Sequence, residues 1–363
     1  MRALIVAALG AVLAWMGPAA AQSYRAIVAA ADGFNGTALV ARGRRVEMVE
    51  GVGLADSERG VAMTPATRFE TGSVSKWIAA IVVLKLVDQK KLDLDKPIAR
   101  YLPDYRADTG ARLTLRLLLS HSSGLPNDIV KARRSDPSIA LTEREQMDAV
   151  RRYASGDLAF APGTAWDYSH SNWLVVKAVV ERVSGVPYAR LVDRLLVRPL
   201  GLRDSGIYHG DSAQVPKMAA GYARLSPAPE RKPVPIPDFM AMAGGYYSSA
   251  PDMLKLMEAV LGGRYLSAAS RKALLTVAMP EQHYALGGRV RIEQIGGKLR
   301  AAVWNDGSNG GFRMVARRVL ADGHSVVLFT NASYDPEKLG ALASKLLDAS
   351  YAAPAAKRSS PTN

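Results

Sequence analysis

The sequence predicts an α/β fold, an α+β sandwich in which an antiparallel sheet built from both termini is flanked by helices. Strand patterns occupy residues 36–51 and return at 299–331, and helical patterns fill the chain from Ser73 to about Leu200. Strands at both ends that enclose a long helical middle favour one sheet with an inserted, mostly helical lobe. We therefore expect a sheet lobe of residues 22–72 and 241–351 and a helical lobe of residues 73–240.

The elements follow in order along the chain. GTALVARG and RRVEMVEG read as two strands joined by a turn at Gly43, and NWLVVKAVVERVSG reads as a helix that Gly185 and Pro187 end. Residues 226–237 contain five prolines and predict an extended surface strap. The remaining elements are three strands, LRAAVW, FRMVARRVL and HSVVLFTN, and the closing amphipathic helix DPEKLGALASKLLDASY.

The two chain ends are expected to lie outside this domain. Residues 1–21 have a basic start, an apolar run and an exit of small residues, a pattern typical of a secretory signal peptide cleaved after Ala21. We therefore expect a protein secreted across the inner membrane into the periplasm. Residues 352–363 are rich in small and polar residues and predict a disordered tail.

Composition narrows the function. Of the 363 residues, 48% are hydrophobic and 22% charged, which allows one large domain with a sizeable core. The net charge is +14, but the basic residues are scattered and do not alternate with aromatics, so we expect no nucleic-acid partner. After the leader no segment is long and apolar enough for membrane insertion. The chain has no cysteine, which excludes a disulfide framework.

The strongest chemical signal is a serine and a lysine three residues apart at the start of an almost entirely apolar helix. Residues i and i+3 share a helix face, so the amine of Lys76 can reach the hydroxyl of Ser73. Burial beside Trp77 disfavours the charged ammonium, and a neutral amine there would act as a base beside a nucleophile. Alternatively, Ser73 only caps the helix and Lys76 extends to solvent.

The surrounding segments favour the catalytic interpretation. TRFETGSVSKW, LLSHSSGLP, FAPGTAWDYSHSNW, PLGLRDSG, AGGYYSSAPDMLK and DGSNGGF occur in this order. Together they resemble the serine β-lactamase and penicillin-binding protein family, most closely class C β-lactamases, D-stereospecific peptidases and the esterases that share their fold. The resemblance covers residues 35–335 and implies a β-lactamase/transpeptidase-like fold.

The resemblance also implies roles for individual residues. Ser73 would be the acylated nucleophile, Lys76 its proton partner, and Tyr168 a second base whose phenolate Lys76 stabilises. The backbone N–H groups of Ser73 and Ser308 would form the oxyanion hole, with Gly307 beside them on the strand. His121, in the HSSG segment, is expected to be structural.

Two positions depart from the family pattern. His170 stands where the family usually has Asn, and Asn305-Asp306-Gly307 replaces the usual Lys-Thr-Gly or His-x-Gly. We expect His170 to supply the donor normally offered by the strand and Asn305 to orient the substrate. Asp306 would repel a substrate carboxylate unless Arg313 compensates its charge. This predicts poor β-lactam hydrolysis and a preference for neutral or amine-bearing esters and amides.

Other functional classes lack their signatures. There is no G-x-S-x-G elbow of an α/β-hydrolase, and the five histidines show no zinc-ligand spacing, so no metal or cofactor is expected. The expected function is an exported serine hydrolase that uses an acyl-enzyme on a small-molecule or peptide substrate, with cell-wall material as one source. The alternative is a catalytically impaired envelope protein that binds peptidoglycan-type peptides or glycans.

Overall fold

A computed structural model describes residues 18–352. The β-strands are β1 (Gly36–Arg42), β2 (Arg45–Val52), β3 (Leu54–Asp56), β4 (Val61–Ala62), β5 (Phe69–Glu70), β6 (Gly206–Ile207), β7 (Tyr222–Arg224), β8 (Glu230–Arg231), β9 (Tyr246–Ser248), β10 (Arg289–Ile295), β11 (Lys298–Asn309), β12 (Phe312–Val319) and β13 (His324–Thr330). The α-helices are α1 (Pro18–Ala29), α2 (Val74–Asp88), α3 (Ala107–Gly110), α4 (Leu115–Leu119), α5 (Asp128–Ser135), α6 (Gln146–Tyr153), α7 (Ser171–Ser184), α8 (Tyr188–Val192), α9 (Arg198–Leu200), α10 (Ala241–Gly244), α11 (Ala250–Met257), α12 (Ala268–Leu275) and α13 (Pro336–Ala352).

The main sheet has six strands in the order β10-β11-β12-β13-β1-β2. All neighbours are antiparallel. The N-terminal and C-terminal strands meet where β1 pairs with β13, in a register that places Gly36 opposite Thr330. The predicted mixed fold, with a sheet built from both termini, is therefore confirmed.

The sheet separates two hydrophobic cores. Because side chains alternate along a strand, Ala38 and Val40 of β1 lie in the core that contains Leu342 and Leu346 of α13. On the opposite face Leu39 lies in the larger core, which holds α2 and the helices around it. Helices therefore cover both faces of the sheet.

Helix α2 lies inside the larger core. Twelve of its fifteen residues are buried, among them Lys76 and Trp77. A helix that is apolar on every side needs such an environment, so the expected burial is confirmed. The consequence for function is that the first turn of α2 is a rigid support for Ser73.

Several elements differ from the sequence-based expectation. The strand predicted at 299–304 continues to Asn309, because residues 305–309 pair with β12. Strand β10 was not predicted: charged and apolar side chains alternate along it, and it is only partly buried at the sheet edge, with Ile292 exposed. The proline-rich strap was expected to have no strand partner. Within it, Glu230–Arg231 pairs with β7 as the short strand β8.

The predicted signal peptide and the predicted disordered tail lie mostly outside residues 18–352, the part of the chain that the structure describes. The signal peptide, residues 1–21, overlaps the described chain only from Pro18 onward, and the predicted tail overlaps it only at Ala352, the last residue of α13. Within residues 18–352, no helix combines the length and the apolar character that crossing a bilayer requires.

Candidate active site

Ser73 lies at the start of α2, directly after the short strand β5. It occupies the N-cap position, and the N–H of Ser75 donates to the carbonyl of Gly72 at 3.0 Å. The side chain of Ser73 forms no capping hydrogen bond. A serine used only as a cap would bond its oxygen to the backbone of the first turn, so this hydroxyl is free for another role.

Lys76 points back to Ser73 from one turn along the helix. Its Nζ lies 3.3 Å from Ser73 Oγ and donates to the carbonyl of Ala243 at 2.7 Å. The side chain is completely buried, and no carboxylate in residues 18–352 forms an ion pair with it. A buried ammonium without a counter-ion stabilises any anion that forms on a neighbouring oxygen.

Tyr168 completes the group from the loop before α7. Its hydroxyl donates to Ser73 Oγ at 2.8 Å, and Lys76 Nζ lies 5.0 Å from the centre of its ring. Three side chains that are separated by up to 95 positions in sequence therefore meet at one oxygen atom. The proximity implied by the resemblance is present.

Two residues hold the loop that carries Tyr168. Asn127 donates from Nδ2 to the carbonyl of Tyr168 at 3.1 Å and accepts the N–H of His170 at 2.9 Å. The fully buried ring of His121 stacks on the ring of Tyr168 with centroids 4.4 Å apart. Asn127 was not predicted as a site residue, and no signal in the sequence marks it.

The imidazole ring of His121 is neutral. Its Nδ1 accepts the N–H of Ser169 at 3.0 Å, which a doubly protonated ring cannot do. Burial lowers its pKa well below the ordinary value, and the positive charge of Lys76 lowers it further. The expectation that this histidine is structural agrees with its position, since it supports Tyr168 from behind the reacting group.

The wall opposite Tyr168 is strand β11. A Cβ on Gly307 would lie 2.0 Å from the carbonyl oxygen of Thr71 and 3.1 Å from the nitrogen of Ser73, and one on Gly72 would lie 2.6 Å from the nitrogen of Ser308. Only glycines allow the two backbones to approach so closely. Within the described residues the N–H of Ser73 forms no backbone hydrogen bond. The predicted oxyanion donors, Ser73 and Ser308, thus lie on adjoining segments.

A buried glutamate joins these two segments. Glu70, three residues before Ser73, is 3% exposed and accepts hydrogen bonds from Asn309 Nδ2 and the hydroxyl of Ser212. Asn309 follows Ser308 on β11 and also donates to the carbonyl of Val234. Burial raises the pKa of Glu70. The sequence alone did not reveal this positioning contact, because its partners are 142 and 239 positions away.

Two of the departures from the family pattern, Asn305 and Asp306, are neighbours on β11 and differ in exposure. Asn305 is buried and lines the cavity, and neither polar atom of its side chain has a partner within the described chain. Its expected role in orienting the substrate stays a prediction. Asp306 lines the cavity with a side chain that is 52% exposed.

Arg289, and not Arg313, compensates the charge of Asp306. Its carboxylate lies 3.4 Å from Arg289, whereas Arg313 donates to the carbonyls of Gly310 and Phe312. Arg289 belongs to the strand that was not predicted, so the sequence offered only Arg313. Because Arg289 offsets the negative charge, the basis for a preference for amine-bearing substrates is removed.

His170 packs edge-on against Tyr168, with ring centroids 5.3 Å apart. It is not among the residues that line the cavity at Ser73, and its Nδ1 is buried without a described partner. Burial lowers its pKa well below the ordinary value. The donor role expected for His170 stays a prediction, and its position favours support of Tyr168 instead.

A cavity of about 790 Å³ opens in front of these groups. Its aromatic wall comprises Trp166, Tyr168 and Tyr284, and Trp166 presents a buried indole N–H that has no described partner. The volume falls in the range of small-molecule sites. In residues 18–352 no group of three or more metal-ligating side chains is present.

Comparisons with known proteins identify the family of the chain. The sequence model described as Beta-lactamase matches residues 21–350. The chain belongs to the β-lactamase family. Among the similar curated members are esterase EstB of Burkholderia gladioli, 36% identical over 256 residues, and the putative penicillin-binding protein PbpX of Bacillus subtilis, 30% identical over 246 residues.

These alignments are partial. They include 61% and 67% of this chain, and they span 64% and 59% of the length of EstB and PbpX.

Solved structures of the β-lactamase fold match more completely. A D-amino acid amidase from Ochrobactrum anthropi has a TM-score of 0.75 at 21% identity, over 91% of this chain and 97% of its own. A penicillin-binding protein from Bacillus halodurans has a TM-score of 0.71 at 24% identity, over 88% and 97%. At these identities the structures show the fold.

Proposed function

We propose that this protein is an exported serine hydrolase that cleaves an ester or amide through an acyl-enzyme formed on Ser73. The observation that carries the proposal is the environment of Ser73 Oγ, with the hydroxyl of Tyr168 at 2.8 Å and the amine of Lys76 at 3.3 Å at the mouth of an open cavity. A nucleophile, a base and a group that stabilises the charged base are the parts that acyl transfer needs.

Tyr168 enters the acylation step as a phenolate, and in this state the Ser73 hydroxyl donates the hydrogen bond between them; Ser73 Oγ then attacks the substrate carbonyl while Tyr168 takes its proton. The ammonium of Lys76 lies beside Ser73 and the Tyr168 ring and stabilises the anionic base. The N–H groups of Ser73 and Ser308 receive the negative oxygen, and each such donor contributes about 2.7–4 kcal/mol to transition-state binding. The proton then passes from Tyr168 to the leaving group as its bond to the carbonyl breaks.

Deacylation repeats these roles with water as the nucleophile. Tyr168 takes a proton from the water that attacks the acyl group, and the proton returns to Ser73 Oγ as the ester bond breaks. The stacked His121 and the clamp by Asn127 keep the phenol oriented through both steps. No metal or cofactor takes part in the proposed reaction.

Esterase activity is the form of this chemistry that the site supports best. Asn305 is neutral, so it offers the carboxylate of a β-lactam a hydrogen bond but not the opposite charge that a lysine at this position would add. The similarity to an esterase supports the same choice. The similarity to a putative penicillin-binding protein supports cell-wall-derived peptides as another substrate source.

The location of the protein is part of the proposal. Export to the periplasm rests on the leader pattern of residues 1–21. Expression in a Gram-negative host tests it: N-terminal sequencing of the periplasmic protein should begin at Gln22. Recovery of the uncleaved chain from the cytoplasm alone would refute the export.

The catalytic part is tested by hydrolysis of p-nitrophenyl butyrate with the wild type and Ser73→Ala, purified in parallel from the same host. We expect the variant to lose about 10³-fold or more in kcat/KM, since the nucleophile is removed. The parallel preparation measures any contaminating host esterase. Equal rates for both proteins would refute the proposal and favour the alternative, a binding protein that retains the fold.

A further inference from the structure

The cavity in front of Ser73 extends well beyond the reacting groups. Strand β10 begins at Arg289, opposite Trp304, so residues 305–309 of β11 have no neighbouring strand on that side. The cavity passes this free edge and reaches Gly340 and Ser344 in the first turns of α13. Its far end therefore lies on the other face of the sheet.

The far end contains an unusual arrangement of charges. The guanidinium carbons of Arg291 and Arg317 lie 3.9 Å and 3.7 Å from the centre of the Trp304 ring. Two cations this close to one ring centre must occupy opposite faces, because they would otherwise overlap. All three residues line the cavity, and so does Arg313.

These guanidinium groups are not neutralised by the protein. Within residues 18–352, neither Arg291 nor Arg317 has a carboxylate within the 4.0 Å of an ion pair. Arg317 is 2% exposed and donates from Nη1 to Ser344 at 2.6 Å, but the Nε atoms of both arginines are buried without a partner. Burial lowers the pKa of both groups. Guanidinium groups that line a cavity without a carboxylate partner favour a bound anion there.

The acidic residues nearby do not provide that anion. Asp306 is paired with Arg289, and Glu337, which also lines the cavity, is exposed on α13 and forms no ion pair with a described residue. Glu293 acts to raise the pKa of both arginines and Asp348 that of Arg317, but neither carboxylate lies within ion-pair distance of them. The cavity lining therefore keeps an excess of positive charge at this end.

We propose that the groups around Trp304 form a subsite for an oxyanion, a carboxylate or a phosphate, carried by the substrate at a distance from its reacting carbonyl. The planar fork of an arginine matches both anions, and the tryptophan ring holds two such forks in place. This inference rests on the proposed function, because it assigns the far part of the same substrate.

The strand sets the separation between the two ends of the substrate. Gly307 adjoins Ser73, and Trp304 lies three residues away along β11, which corresponds to about 10 Å. A substrate of this kind therefore has a spacer about as long as three extended residues or the methylene chain of equal length.

Mono-p-nitrophenyl esters of succinic, suberic and sebacic acid test the inference, each compared with the same compound whose free carboxyl is a methyl ester. The measured quantity is the ratio of kcat/KM for the anionic ester to that for its neutral counterpart. We expect the ratio to be about tenfold or more for suberate, from one charge-assisted hydrogen bond, and close to unity for succinate, which is too short. A ratio near unity at every chain length would overturn the inference.

Variants identify the groups responsible. Arg291→Gln and Arg317→Gln should each lower the suberate ratio by about tenfold, because each removes one of the two guanidinium groups at Trp304. Arg300→Gln is the matched control: Arg300 lies over the ring of Tyr351 and does not line the cavity, so its ratio should equal that of the wild type. Equal ratios in all four proteins would contradict the assignment.

Two further measurements separate the possible failures. If the neutral esters are not hydrolysed in a Ser73-dependent way, the proposed function fails; if they are and the ratio is near unity, only the subsite fails. Titration calorimetry of Ser73→Ala with monomethyl suberate and with monomethyl octyl phosphate then compares carboxylate with phosphate. Heat from neither ligand, with a wild-type ratio near unity, would overturn the subsite.

Discussion

Replacement of Tyr168 by phenylalanine removes one oxygen atom from the centre of the proposed mechanism. The phenol hydroxyl is 2.8 Å from Ser73 Oγ, and the ring makes the other contacts of this side chain, with His121 at 4.4 Å and His170 at 5.3 Å between centroids. A phenyl ring keeps those contacts. We therefore expect the variant to fold and melt like the wild type.

The activity should fall sharply. A positioned general base contributes about 10²–10⁴-fold to a rate, which is about 2.7–5.5 kcal/mol of barrier height. Since the hydroxyl is needed for proton transfer rather than for binding, the loss should appear in kcat for p-nitrophenyl butyrate, with KM changed little. Thermal unfolding followed by circular dichroism reports whether the fold has been kept.

Tyr265→Phe is the matched control. Lys85, on the same helix as Lys76, places its Nζ 4.4 Å from the ring of Tyr265, so this pair repeats the lysine–tyrosine contact away from the cavity. The control should keep wild-type kcat. If Tyr168→Phe also kept kcat within a factor of about three, Lys76 alone would be the base and the role assigned to the phenol would be refuted.

Three further predictions follow from buried groups. Lys76→Met should abolish measurable ester hydrolysis without lowering the melting temperature, because it exchanges an unpaired buried cation for an apolar chain of similar length; a lower melting temperature would contradict this. Since burial lowers the pKa of His121, the unfolded chain takes up that proton first, so this residue should lower the unfolding free energy below about pH 6.5 by up to about 1.4 kcal/mol per pH unit, in addition to the contributions of His170 and His324. His121→Asn should reduce the slope measured in urea titrations by the share of this one residue, and an unchanged slope would refute the assignment. Wild-type protein should hydrolyse nitrocefin poorly and Asn305→Lys should hydrolyse it faster, whereas efficient wild-type turnover would show that a cation at position 305 is not needed.

The sequence predicted the fold well where local patterns coincide with burial. The apolar run of α2 and the alternating strands β1, β12 and β13 are buried in the way that their patterns require. Strand β10 was not predicted because it lies at the edge of the sheet and is only partly buried. Its charged side chains therefore interrupt the apolar pattern that would mark a strand. Its register with β11 decides where the cavity can pass the sheet.

The site was predictable in part. Ser73 and Lys76 are three positions apart, so helix geometry alone brings them together, whereas Tyr168 came only from the family resemblance. The contacts that orient these groups, made by Asn127, His121 and Glu70, connect distant segments and leave no local pattern. The pairing of Asp306 with Arg289 was missed for the same reason, since it depends on a strand that the sequence did not reveal.

The most direct test of the account is the covalent state of Ser73 during turnover. Wild-type protein mixed with excess p-nitrophenyl butyrate, quenched in acid within seconds and examined by intact and peptide mass spectrometry, should carry one butyryl group, located on Ser73. Ser73→Ala should carry none under the same conditions. A butyryl group on another residue, or equal labelling of the two proteins, would contradict the claim that this hydroxyl is the nucleophile.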